Sequence, residues 1–450
     1  MEIGNSNSFI DGRDISKSTH RGFLTRALWL CAGVTRIARW PFLVLLLLGA
    51  LLLAESGRNG GVVSTVDYNW LDWAASHRDQ ARYPKGPASV TVVEINDAVL
   101  AGRNKWPLPA LDYALFLQAL EEMRPAVVGI EPVLSWARPQ AEAERMLANR
   151  ALQFPKLVLG VVTANSGRRE SDDAGILPEG LRNVSGNVAN LPFADELIAR
   201  PTRDLQALAS LGPTVAAREF PAAVPLLVRY RGQVLPTFTL QAALLWLKVT
   251  PGEIKVRLGS HIDLGDGRRI PIDDAGFMVV DPWSPARVSR LGFDDLLLVA
   301  EQGAKAVPND RLNLEAPSAG GITLLGRTDR SVLGPVGEGR VEARAPIDWS
   351  AAALASIQRG DFVRRVPAWG QWLLLLALVA FGTWLQTRIR LGAALLAFAG
   401  LLLYAVVAWI LYDRLRWWLP MAMPCGVLLG ALTIRLFSPD DDPVKPARTD

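Results

Sequence analysis

Four apolar segments are spread unevenly along the 450-residue chain, one centred near residue 45 and three packed between 369 and 437. Between the first and second lie about 310 residues of mixed polar and apolar pattern (57–366). That spacing describes a large domain held on one side of a membrane by four helices. The runs WGQWLLLLALVAFGTWLQT (369–387) and LGAALLAFAGLLLYAVVAWILY (391–412) carry no charge, and they reach the roughly 20 residues that cross about 30 Å of hydrocarbon. The last segment (417–437) contains Pro420 and Pro424, so a kinked or irregular outer end is expected. The first (40–56) follows a 39-residue lead and ends in LLLAES. A signal peptide has a short lead and a small-residue cleavage site, so an uncleaved anchor fits better.

Orientation follows from Lys and Arg near the segment ends. The lead (1–39) holds Arg13, Lys17, Arg21, Arg26, Arg36 and Arg39, whereas Arg388 and Arg390 in one hairpin loop are matched by Arg414 and Arg416 in the other. The lead therefore decides, placing both termini in the cytoplasm and 57–366 in the periplasm of a bacterial inner membrane. Within it, RGFLTRALWLCAGVTRIARW stays open between a helix lying on the membrane surface and a solvated basic tail. A net charge of +4 is small for this length and points to no nucleic-acid partner. The two cysteines, Cys31 and Cys425, fall near opposite membrane faces, so the outer domain relies on its own core.

In that domain short apolar runs alternate with helical stretches. VTVVEI (90–95) reads as a buried strand, LPALDYALFLQALEEM (108–123) as an amphipathic helix and AVVGIEPVL (126–134) as a second buried strand. A helix over 139–150 leads to a third strand in KLVLGVVTA (156–164). Strands apolar on both faces and linked by helices predict an α/β domain with a mainly parallel sheet. Hairpins are expected at Arg231-Gly232 and Asp266-Gly267, later strands at 277–281 and 321–326, a helix over 349–358, and an irregular stretch over 165–204.

The order of these residues resembles the CHASE domain of the second type, an extracytoplasmic sensory module of bacteria. The resemblance rests on Asn96-Asp97 after the first strand, Trp106-Pro107 before the helix and Glu131 after the second strand. GITLLGRTDR, PVGEGRVEARA and SAAALASIQRGDFVRRVPAW near the domain's end, and DYNWLDWAASHRDQ near its start, resemble it as well. The one-plus-three arrangement of apolar segments belongs to the same pattern. Two features depart from it: Glu131 stands where Asp is typical, and AAREFPAAVPLLVRY lacks the usual Asp-Gly turn. Family members commonly continue into an output domain after the last helix, whereas thirteen residues (438–450) follow here. The resemblance implies a sensory domain that signals or couples through a separate protein.

Asn96, Asp97, Trp106 and Glu131 are the candidate ligand-binding residues, because open α/β sheets bind ligands beyond the carboxyl ends of their strands. The ligand itself is not legible. Asp273-Asp274 and Asp294-Asp295 read as capping or solvated acids, and the three histidines, His20, His77 and His261, share no metal-ligand spacing. No catalytic motif is present, so neither an enzyme, a metal nor a cofactor is expected. The apolar segments hold no Asp, Glu, Lys or Arg in their cores, which argues against transport. Ala422, Gly426 and Gly430 recur every four residues and suit close helix packing, within the chain or in a homo-oligomer. Trp369, Trp372, Trp417 and Trp418 are expected in an aromatic belt. The competing reading is a structural or scaffold subunit of an envelope-spanning membrane complex.

Overall fold

The computed structural model describes residues 36–56, 62–78, 89–103, 106–138, 140–165, 177–215, 222–265, 267–282, 284, 288–302, 320–332 and 344–437. The basic lead up to residue 35, the tail after 437, most of PVGEGRVEARA and Asp266 lie outside the described residues. The chain forms two compact units. Among the described residues one comprises 36–56, 367–406 and 420–437, and the other those between 62 and 366 together with 407–419.

The helices are α1 (Arg36–Ser56), α2 (Val62–Ser76), α3 (Asp97–Arg103), α4 (Ala110–Met123), α5 (Ala141–Ala151), α6 (Arg203–Leu208), α7 (Phe238–Leu247), α8 (Phe293–Gln302), α9 (Pro346–Arg359), α10 (Ala368–Leu385), α11 (Arg390–Leu415) and α12 (Ala422–Phe437). The strands of the large sheet are β1 (Val90–Ile95), β2 (Val127–Ile130), β3 (Leu157–Ala164), β4 (Glu196–Ala199), β5 (Ser210–Thr214), β6 (Ser289–Gly292) and β7 (Ile322–Arg327). Their order is β6-β1-β7-β2-β3, with β4 and β5 both on β3. All pairings are parallel except β3 with β4.

Both faces of this sheet are covered, which is why its strands read as continuous apolar runs. Val93, Ile95, Val128, Ile130, Leu159 and Leu325 pack under α4, α5 and α8. Val92, Val127, Val158, Ile322 and Leu324 face the opposite way, toward α2, α7 and α9. On that second face three glycines stand where a side chain has no room. A Cβ at Gly129 would lie 2.9 Å from the Phe238 ring, one at Gly212 would strike the backbone of Phe238, and one at Gly160 would overlap the Glu131 carbonyl. Helix α7 and the end of β2 therefore approach the sheet only because these positions are bare. The stretch expected to be irregular (165–204) contains, beyond residue 176, the short strands Asn183–Ser185 and Phe193–Ala194, with β4 and the start of α6. Its polar residues sit at strand edges, where alternation is too short to read. The expected hairpin at Arg231-Gly232 joins Leu227–Tyr230 to Gln233–Pro236.

Residues 407–419 belong to the domain through a buried ionic cluster. Arg416, in left-handed backbone at φ 60°, donates to Asp281 at 2.6 Å and to both oxygens of Asp361 at 2.8 and 2.7 Å. The Tyr412 hydroxyl also reaches Asp281, at 3.1 Å, and Arg78 lies 3.7 Å from Asp361. Burial opposes ionisation of Asp361, but Arg416 and Arg78 outweigh it and hold its carboxyl below the usual range. Trp417–Trp418 pairs in parallel with Arg364–Arg365, and the Arg365 guanidinium stacks 4.5 Å from the buried Trp418 ring. Trp418 is thus a core residue of this unit rather than a belt residue, and Arg416 is a structural cation rather than a loop charge. Two positions along the chain decide the matter, since Arg414 is exposed.

In the other unit α1, α10 and α12 share a core of Leu45, Leu375, Val379, Met423, Val427 and Ala431. Gly426 faces Leu52 of α1, a Cβ at Gly430 would lie 2.8 Å from Leu48, and Ala422 is buried. Pro424 falls in the first turn of α12, where its missing N–H costs no helical bond. Among the described residues one helix, α11, is long and apolar enough to cross a membrane; Trp40–Ala54, Trp369–Leu385 and Ala422–Phe437 are shorter apolar helices.

Two stability measurements check this account. Gly160→Ala should destabilise the domain by about 3 kcal/mol through overpacking, while Gly102→Ala, which meets nothing within 4 Å, should stabilise α3 by up to about 1 kcal/mol. Arg416→Met should cost about 3–5 kcal/mol because it strands two carboxylates; Arg414→Met should stay within about 0.5 kcal/mol. Equal effects of the last pair in denaturant unfolding would refute the cluster.

Candidate functional site

At the carboxyl end of the large sheet one register row runs across the strands. Glu94 of β1 is level with Gly292 of β6 and with Gly326 of β7. Glu131 follows Ile130 of β2, which is level with Leu159, and Gly160 is level with Gly212. Side chains of this row point toward α9 and α7. A Cβ at Gly326 would lie 2.9 Å from Glu131 Oε2 and strike Ile347 of α9. The bare row makes the space in which the Glu131 carboxyl sits.

The two glutamates of the row have different neighbours. Arg290 pairs with Glu94 and donates to Asp348 at 2.8 Å. Asp348, near the start of α9, also accepts from the Ala345 N–H at 3.2 Å. Glu131 has no hydrogen-bond or ion-pair partner among the described residues; only its backbone N–H is engaged, by the Leu325 carbonyl at 2.9 Å. Burial first, and then the negative charge of Asp348, push its carboxyl up from the ordinary 4.5 to about 8, with Arg327 pulling weakly the other way. Burial likewise raises Asp348. Arg327 is committed elsewhere. It donates to both oxygens of Asp329 at 2.8 Å and to Ser331 at 2.6 Å, and its guanidinium lies 4.4 Å from the Trp106 ring. These bonds outweigh the burial of Asp329 and hold its carboxyl below the usual range.

Glu131 borders two spaces. An open cleft of about 630 Å³ is lined by Trp106, Glu131, Val133, Val162, Val215, Arg327, Val332 and Pro346. On its other side a small cavity of about 40 Å³ is lined by Thr214, Thr237, Thr239, Trp349 and Ser350, with room for about three waters. A mostly apolar cleft with one unmatched acid at its base can hold a small molecule and orient it by a single polar contact.

Of the four residues expected to bind ligand, Trp106 and Glu131 meet in this cleft. Asn96 and Asp97 do not line it. The Asn96 side chain accepts from the Val99 N–H at 3.1 Å, capping α3, and exposed Asp97 faces Arg330 at 3.8 Å. Both belong to the turn after β1. Sequence reasoning missed Glu94, Arg290, Arg327 and Asp348. Arg327 was visible as the cation after GITLLG, and Glu94 as a lone acid closing an apolar strand, but the partner of Glu94, Arg290, lies 196 residues further along the chain and meets it only through the sheet register. Among the described residues no group of His, Cys, Asp or Glu is arranged to hold a metal ion.

The CHASE2 domain family matches residues 43–385. The chain belongs to that family of extracytoplasmic sensory domains. No curated protein and no solved structure matches it.

The raised Glu131 carboxyl makes stability depend on pH. Between 4.5 and about 8 the unfolded chain has lost this proton while the folded chain keeps it, so stability falls as pH rises through that window and levels off above it. Glu131→Gln should remove the slope and stabilise the domain above the window, by on the order of a few kcal/mol. Parallel wild-type and variant curves in thermal unfolding across that window would refute the environment assigned to Glu131.

Proposed function

We propose that this chain is an inner-membrane receptor whose periplasmic domain senses a small molecule in the Glu131 cleft and passes the signal to a separate protein. The observation that carries this reading is the unmatched Glu131 carboxyl facing an apolar cleft in a domain of a sensory family. Four apolar helices, α1, α10, α11 and α12, anchor it with both termini cytoplasmic. Removing Arg416 from the loop charges leaves Arg414 against Arg388 and Arg390, which favours the same orientation as the basic lead. The chain acts as a receptor and not as a catalyst.

Helix α9 supports a route for the signal within the domain. Its first turn holds Pro346 and Asp348, beside Glu131. Its last residue, Arg359, is followed by Gly360 in left-handed backbone and then by Asp361, the main partner of Arg416. Fourteen residues span about 21 Å. A ligand that shifts the first turn moves Asp361, and with it the segment that continues from α11.

The test has two arms. Reporter fusions that need the periplasm should be active after residue 200 and inactive after 445. In cells, Val133→Trp should fill the cleft and abolish the response lost on deletion, while cross-linking still captures the partner. A retained response with retained capture would favour a scaffold subunit instead.

A further inference from the structure

We propose that the cleft takes a molecule with an apolar body and a protonated primary amine, the ammonium donating to the Glu131 carboxylate. This deepens the sensory reading of the same cleft, on which it rests, by naming the ligand's chemical class.

The walls of the cleft are supplied by Val133, Val162, Val215, Val332 and the exposed Trp106 ring. They suit an apolar body. Charge decides the head group. Around Glu131 stand Glu94 on β1 and Asp348 on α9, which share the cation Arg290 of β6, while Arg344 also acts on Asp348. The nearest cation facing the cleft, Arg327 of β7, is saturated by Asp329, Ser331 and the Trp106 face. With Glu131 ionised, these groups hold four negative charges against three positive. A ligand carboxylate would meet net repulsion and no uncommitted cation among the described cleft residues. An ammonium would balance one excess charge and form a charge-assisted hydrogen bond, stronger than a neutral donor forms.

The protonation chemistry balances. Below the raised value of about 8 the free carboxyl carries its proton. An ammonium binds the ionised form, so one proton leaves Glu131 to solvent on binding and the N–H···O contact replaces it. No other bond forms or breaks. Affinity should therefore rise by about tenfold per pH unit below that value, and level off above it until the amine itself loses its charge.

The experiment is calorimetric titration of the full chain in detergent with benzylamine, benzyl alcohol and benzoate as probes, repeated with Glu131→Gln and Val133→Trp. Benzylamine should bind saturably to the wild type, at least about tenfold more weakly to Glu131→Gln, and not to Val133→Trp. Its heat should vary with the ionisation enthalpy of the buffer, reporting proton release, and Glu131→Gln should lose that dependence while unfolding at no lower temperature than the wild type. Equal benzylamine affinity in Glu131→Gln, benzoate binding as tight as benzylamine, or no saturable benzylamine binding would each overturn the amine class. If benzyl alcohol or benzoate binds and Val133→Trp abolishes it, the cleft is a ligand site of another class and the sensory reading survives. A cellular response that Val133→Trp leaves intact would remove that reading separately.

Discussion

The bare row of Gly292, Gly326, Gly160 and Gly212 across the carboxyl end of the sheet determines what this domain can do there. In a parallel sheet buried on both faces, every strand position toward a helix is ordinarily filled by an apolar side chain. Here the row is filled only by two glutamates, and the helix that would cover them, α9, brings another acid in Asp348. Arg290 pairs with both Glu94 and Asp348. Glu131 is left with burial on one side and a cleft on the other. Its high proton affinity and its freedom to meet a ligand are two consequences of the same missing side chains.

The same helix ties this end of the domain to a second polar site. Asp361, which follows α9, is held by Arg416 together with Asp281. Buried ion pairs of this kind add little net stability over an apolar core, yet removing one partner is costly, so they favour a single arrangement of the segments they join. The 407–419 segment is thereby fixed in the domain, and α9 is the rigid element between the cleft and that fixture. The small-residue face of α12 has a different use in this structure. Gly426 and Gly430 accommodate Leu52 and Leu48 of α1, within one unit.

Much of the domain could be read from local pattern. The three buried strands at 90–95, 126–134 and 156–164, the helices between them and the Arg231-Gly232 hairpin all announce themselves through apolar runs and turn residues. The insertion of β7 between β1 and β2 could not be read, because parallel pairing joins strands some 200 residues apart with no local trace. That pairing is what sets Gly326 beside Glu131. Trp106 and Glu131, singled out in the sequence, line one cleft, whereas Asn96 and Asp97 looked equivalent, since a cap at the end of a strand and a ligand contact have the same composition. Arg416 was misleading for a similar reason: a loop arginine beside a membrane segment is normally solvated, and only the distant Asp281 and Asp361 make it a core residue.

The central claim is that the Glu131 carboxyl sits between a cavity and a cleft with no cation paired to it among the described residues. Its own titration measures this most directly. Infrared difference spectra of the wild type against Glu131→Gln isolate the carboxyl stretch of this one side chain, and following it with pH gives the midpoint. A midpoint near 8 is the result expected of a half-buried acid beside Asp348, whereas one near the ordinary 4.5 would contradict the arrangement.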